Sequence, residues 1–195
     1  MAGKRRSDMM EETRARLIAA ARKAFAAKGF AAASMDELTA EAGLTRGALY
    51  HNFGDKLGLL AAVVAEVDGE MAAAAKRAAT AGSAWERLEA QGVAYIELAL
   101  DPEIQRIVLR DGPAFLGDPS AWPSQSACLE DTCEALVEAQ AAGSIRPVDI
   151  EAAARLLNGA ALNAALWVAA SPEPEVVLPR AIEAFRYLAS GFRAG

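Results

Sequence analysis

The chain is poor in the side chains that most enzymes place at their reaction centres. It holds one histidine, His51, and two cysteines, Cys128 and Cys133, in 195 residues. One imidazole excludes a multi-histidine metal site, and its place on a helix assigned below to another task removes a histidine-based triad. The two cysteines lie five apart on one expected helix, about 140° round its axis at ~3.6 residues per turn. They therefore neither pair with each other nor form a Cys-x-x-Cys zinc knuckle, and free thiols suit a reducing cytosol. No glycine-rich phosphate loop is present. The acidic run Glu130, Asp131, Glu134 and Glu138 reads most simply as a solvated helix face. Neither cofactor nor metal is expected, and nothing supports an all-α enzyme working through carboxylates alone.

Aromatic residues make up 6% of the chain, prolines number eight, and no valine- or threonine-rich run alternates as a half-buried strand would. Alanine, leucine and glutamate dominate, which favours helix throughout, so the expected class is all-α. Long hydrophobic runs are missing as well. The longest weakly polar stretch, Leu156 to Ala170, is shorter than a membrane span and contains Asn158 and Asn163. The first sixteen residues are polar, so no signal peptide is expected and the location should be cytoplasmic. A hydrophobic content of 53% is ample for a buried core in one or two domains.

What is present is unevenly charged. Residues 1–58 carry ten Lys/Arg against seven Asp/Glu, whereas residues 59–195 carry ten against nineteen. A basic head on an acidic body draws the head toward polyanions and keeps the body off them. Lys4, Arg5 and Arg6 stand in a stretch without apolar periodicity, residues 1–10, which reads as a flexible arm able to reach phosphate or a minor groove. A first helix follows from about Glu11 to Lys28, with Leu17, Ile18, Ala21 and Phe25 on its inner face and Gly29 at its end.

The stretch from Ser34 to Phe53 then reads as two short helices in tight succession. Ser34-x-x-Glu37 is a capping box, and Met35, Leu38 and Ala42 follow on one face. Gly43 ends that helix where a left-handed residue costs least, and Thr45 caps the next, with Leu44 and Leu49 spaced as a hydrophobic staple. This is a helix-turn-helix pattern. With Leu49 and Phe53 turned inward, Arg46, Gly47, Ala48, Tyr50, His51 and Asn52 fall outward. Arg, Asn and His can address base edges, a Tyr hydroxyl suits phosphate, and small residues let the helix N-terminus approach one.

Thr45-Arg46-Gly47-Ala48-Leu49-Tyr50-His51-Asn52-Phe53, followed by Asp55-Lys56 and Leu59-Leu60, resembles the signature of the TetR (tetracycline-repressor-like) family, T-x-G-x-L-Y-x-H-F-x-x-K-x-x-L. Phe25-x-x-Lys28-Gly29-Phe30, Ser34-Met35, Leu38 and Ala42-Gly43 agree upstream. One position departs: Asn52 stands where the family carries His, and His51 precedes it. The resemblance implies a three-helix DNA-binding domain over residues 11–58 and a helical ligand-binding and dimerisation domain over 59–195. It also makes Lys56 a phosphate contact, which would explain a cation in the first turn of a helix, where the dipole disfavours it. Ser34 is expected on phosphate too.

Beyond the head, a long helix from Lys56 to about Ala79 carries Leu57, Leu60, Val63, Val64, Val67 and Met71 and connects head to body. Ser83 caps a helix to about Leu100, and Asp101-Pro102 starts a short one ending near Arg110. Asp111 to Pro123 is the longest expected irregular segment. Helices follow over Ser124–Ala142, Asp149–Ala170 and Pro174 to about Ser190. Leu156, Leu157, Ala160, Ala161, Ala164, Leu166 and Trp167 offer more apolar surface than one neighbour covers, as a two-fold homodimer through a four-helix bundle would need. Such a dimer sets two reading helices about one DNA turn apart, ~34 Å, over a palindrome. The resemblance further implies a small-molecule effector among the body helices, with Trp85, Tyr95, Arg110, Phe115, Trp122, Asn158, Asn163 and Trp167 as wall candidates. The expected function is a ligand-responsive repressor. Alternatives are the same fold controlled by a protein partner or by nothing, and a helical-bundle enzyme or carrier.

Overall fold

The computed structural model describes the backbone of residues 2–194 and the side chains of residues 7–194. It is helical, and the only β-type pairing among the described residues is an isolated bridge between Ile145 and Arg193. The first helix, α1, spans Ala2–Ala32, so residues 2–10 continue it instead of forming the expected arm. No proline, and no glycine between Lys4 and Lys28, interrupts the run. Lys4, Arg5 and Arg6 have side chains outside the described set. The ladder breaks at Gly29, whose φ of 80° and ψ of 163° only glycine adopts readily, so the regular helix ends where expected and a short turn follows.

Helices α2 (Met35–Glu41) and α3 (Arg46–Phe53) complete the head. Ser34 and Glu37 form the reciprocal capping box, Gly43 sits at φ 62°, and Thr45 Oγ1 accepts from Ala48 N at 3.2 Å. Asp55 caps α4 (Lys56–Ala78) by accepting from Gly58 N at 2.8 Å. The head core is Leu17, Ala21 and Phe25 of α1, Leu38, Leu49, and Leu59 and Leu60 of α4, all fully buried. Leu57, expected inside, is exposed, because Leu59 and Leu60 occupy the face of α4 that meets α1. One continuous core then runs along α4 into the body through Val63, Val67 and Met71.

The body consists of α5 (Ala84–Glu97), α6 (Pro102–Arg106), a π-helical turn (Ile107–Asp111), α7 (Gly112–Leu116), α8 (Pro123–Ala141), α9 (Ile150–Ala170) and α10 (Pro174–Ser190), with short 3₁₀ turns at Leu98–Leu100 and Pro119–Ala121. Residues 111–123 are therefore mostly helical, contrary to the expected loop. Their prolines stand in first turns, Pro113 and Pro119 of short helical segments and Pro123 of α8, where the missing N–H has no partner to lose. Helix α9 buries Leu157, Ala161, Ala165 and Val168 within the chain and turns Leu156 and Trp167 to solvent. No described helix is long and apolar enough to cross a membrane.

Candidate nucleic-acid interface and body cavity

Helix α3 is held by its inner face. Leu49 is fully buried and Phe53 half-buried under the Arg14 guanidinium, 4.6 Å from the ring centroid. Thr45, Arg46, Gly47, Tyr50 and His51 are exposed as a consequence, with Ala48 and Asn52 half-buried at the edge. Tyr50 is 53% exposed, its hydroxyl 4.0 Å from Met35 Sδ. Arg46 makes a forked pair with Asp36 of α2, both contacts at 2.5 Å, which holds that carboxyl below its ordinary range. Both partners face water, so the pair can be exchanged for another acceptor at little cost. Asn52, at the family's usual histidine position, donates its amide to Ala48 O at 2.8 Å and braces its own helix. It would have to release that carbonyl to reach outward. Ser34 lies exposed at the N-terminus of α2, its hydroxyl engaged in the cap.

Lys56 is placed differently from the exposed residues. Its ammonium sits 4.4 Å over the Phe30 ring and 3.5 Å from Ala31 O, at the break in α1. Burial, and then the Lys28 charge, push its pKa down. At the same break the body takes hold of the head. Arg106 donates to Lys28 O at 3.1 Å, Asp111 accepts from Phe30 N at 2.7 Å, and Phe115 packs on Phe30 with centroids 4.6 Å apart. A Cβ on Gly29 would lie 2.1 Å from the Arg106 guanidinium, so a side chain there would push Arg106 off Lys28 O. A second tie lies nearby: Arg22 of α1 bonds Glu70 of α4 and Glu103 of α6 at 2.7 to 2.9 Å.

The body contains a cavity between α4, α5, α8, α9 and α10. Its volume is about 50 Å³, counted as space open to the centre of a water-sized sphere. Trp85, Leu88 and Phe185 supply apolar walls, and Tyr95, Gln125 and Asn158 supply polar ones. Of the residues expected on such a wall, Trp85, Tyr95 and Asn158 are brought together here and the other five lie elsewhere. Arg110 is engaged with Ala169 O at 2.9 Å, and Phe115 belongs to the joint with the head. Trp122 is buried against Gly112, and Asn163 and Trp167 lie on the exposed face of α9, Trp167 beneath Arg180 at 5.6 Å. Tyr95 Oη and Trp85 Nε1 are buried without a hydrogen-bond partner. Burial raises the Tyr95 hydroxyl pKa and the Cys128 thiol pKa, and the Asp68 charge raises both further.

Residues 17–63 match the family described as bacterial regulatory proteins, tetR family, and residues 85–192 match the tetracyclin repressor-like C-terminal domain. A crystal structure of a TetR-family transcriptional regulator from Pectobacterium atrosepticum is 44% identical with a TM-score of 0.88, covering 96% of this chain and 97% of its own. The chain belongs to the TetR family. Its relatives are transcriptional regulators, not enzymes. The HTH-type transcriptional regulator SrpR of Pseudomonas putida is 49% identical over 55 residues, 28% of this chain and 26% of SrpR. The match thus spans about a quarter of that relative's length. RolR, solved with its ligand resorcinol, shares the TetR fold at 19% identity and a TM-score of 0.69, covering 97% of this chain and 98% of its own.

Asp68, Gln125, Cys128 and Phe185 are absent from the wall residues expected of the TetR body. For Asp68 a signal exists: it falls on the stripe of Val64, Val67 and Met71, an acid at a core position of an amphipathic helix. The others reach the cavity only through tertiary packing, and no local pattern marks them.

Proposed function

We propose that the protein is a repressor that grips a palindromic operator as a two-fold homodimer and releases it when a small molecule fills the body cavity. The observation that carries this is α4: it begins at Lys56 beside the reading helix and ends in the cavity wall, with Ala72 and Ala75 lining it. One rigid rod touches both sites, so a ligand that fits one tilt of α4 better than another biases the head by that preference, typically ~1–3 kcal/mol. Arg46 and His51 address base edges, while Tyr50, Thr45, Ser34 and Lys56 contact phosphates, Gly47 and Ala48 leave room at the helix start, and Asn52 joins if Ala48 is released. Leu156 and Trp167 of α9, with Val176 and Tyr187 of α10, are 44 to 84% exposed and give the dimer an apolar face to bury. The operator is double-stranded DNA, and the fold contributes no step of catalysis.

Selection of a bound site from random duplex DNA, followed by gel shift, tests this. The wild type should retain one palindromic sequence, and Arg46→Ala with Tyr50→Ala should lose it by about a hundredfold or more. Lys56→Ala should instead weaken all sequences alike and lower the salt slope by about 1. Selection of no sequence by the wild type, or unchanged affinity in the double variant, removes the proposal.

A further inference from the structure

Asp68 is the one buried charged residue among the described residues. It is 2% exposed, lies in the middle of α4 among Val64, Val67 and Met71, and has no basic partner among the described residues. Only neutral groups face it: Gln125 Nε2 donates to Oδ2 at 3.4 Å and the Ser124 side chain lies beside it, and burial pushes its pKa up against both. A buried carboxyl without a cation is destabilising, and such groups gather at functional sites. Gln125 is also a wall of the cavity, so the acid stands directly behind that wall. Tyr95 lines the same cavity, its buried hydroxyl beside the Gln125 side chain and without a well-formed hydrogen bond.

The rest of the wall has a consistent character. It carries no lysine or arginine, which disfavours an anion. Its one charged residue is Glu89, with Arg186 4.0 Å away. Trp85, Tyr95 and Phe185 contribute three aromatic rings, surfaces that attract an organic cation as well as apolar groups. The space is small, room for roughly four waters.

We infer that the effector is a small hydrophobic amine, bound in its protonated form with the ammonium directed to Asp68, Gln125 and Tyr95 and the apolar group between Trp85 and Phe185. This deepens the proposed function and rests on its reading of the cavity as the effector site. The ammonium supplies the missing countercharge and the missing partner of Tyr95 Oη, and it does so on the helix that carries the head. A neutral ligand of the same shape would leave the acid uncompensated.

The test uses the full-length, DNA-free protein and three matched pairs: benzylamine with benzyl alcohol, 2-phenylethylamine with 2-phenylethanol, and 4-phenylbutylamine with 4-phenylbutanol. Binding is read by tryptophan fluorescence and calorimetry. At least one amine should bind about tenfold more tightly than its alcohol, and Asp68→Asn should erase that preference while keeping alcohol binding. The inference is overturned if no amine outbinds its alcohol, or if the folded Asp68→Asn protein keeps the preference. If that variant does not fold by circular dichroism, the wild-type ratio decides alone, and a ratio below about threefold counts against the inference. Operator binding is measured separately: a protein with the amine preference but no operator refutes the regulator reading, and one that binds operator without the preference refutes only the ligand class.

Discussion

The polar groups of the head and those of the body are kept in opposite conditions. On α3 and α2 they lie at or near the surface and are already matched: exposed Arg46 with Asp36, the exposed Thr45 hydroxyl with Ala48 N, and the half-buried Asn52 amide with Ala48 O. At the body cavity three are buried and poorly matched: Asp68, behind the wall, has no cation, and Tyr95 Oη and Trp85 Nε1 have no partner, while Asn158 and Thr132 bond each other. An exposed pair can be traded for a DNA contact because water softens the exchange. A buried orphan is not relieved by water it does not meet, and its cost stays in the folded body. Under the proposed function, the head would swap partners and the body would acquire one.

The largest effect that sharpens this contrast is on DNA. Arg46→Ala should cost about ten- to a hundredfold in operator affinity, read by gel shift, with no movement of the melting temperature, since the Asp36 pair is solvent-exposed. A marked fall in Tm would mean that the pair holds the head together and is not a reserve for DNA. Next comes Gly29→Ala, which forces an unfavourable φ and a clash with the Arg106 guanidinium. Denaturant unfolding should show a loss of about 1–3 kcal/mol.

Asp68→Asn acts in the reverse direction. Because burial raises the folded carboxyl's pKa, the native state holds its proton to higher pH than the unfolded chain does, whose ordinary value is 3.8. Native protein therefore binds more protons above that value, and wild-type stability falls as pH rises through the window between the two pKa values. The variant escapes this loss. Its Tm should match the wild type in acid below about pH 4 and exceed it near neutrality. A variant less stable at pH 7 would show that Asp68 already has its countercharge. Smallest of all, Tyr95→Phe should leave the stability of the empty protein within about 0.5 kcal/mol, since it deletes a hydroxyl that bonds to nothing.

The contrast also explains what could be read from the chain before any coordinates. Caps are local, so Ser34, Thr45, Ser83 and Asp101 all hold the helix starts expected of them. The outward face of α3 follows from Leu49 alone, because an eight-residue helix has one buried side. The cavity depends on contacts between residues far apart in sequence, and there only Trp85, Tyr95 and Asn158 of eight expected wall residues meet. Residues 111–123 were obscured for a different reason: glycine and proline punctuate loops and also begin short helices, and local composition does not separate the two. Asp68 was legible as an anomaly in an apolar stripe, but what faces it was not.

The break at Gly29 hands one main-chain proton of the head to a carboxylate of the body, Phe30 N–H to Asp111. Isotope exchange at that single amide is consequently a gauge of whether the two halves travel as one. It should be slow while the latch is shut and fast once a ligand or a substitution opens it. A molecule joined this way carries its own reporter at the one place where motion of either half must be felt by the other.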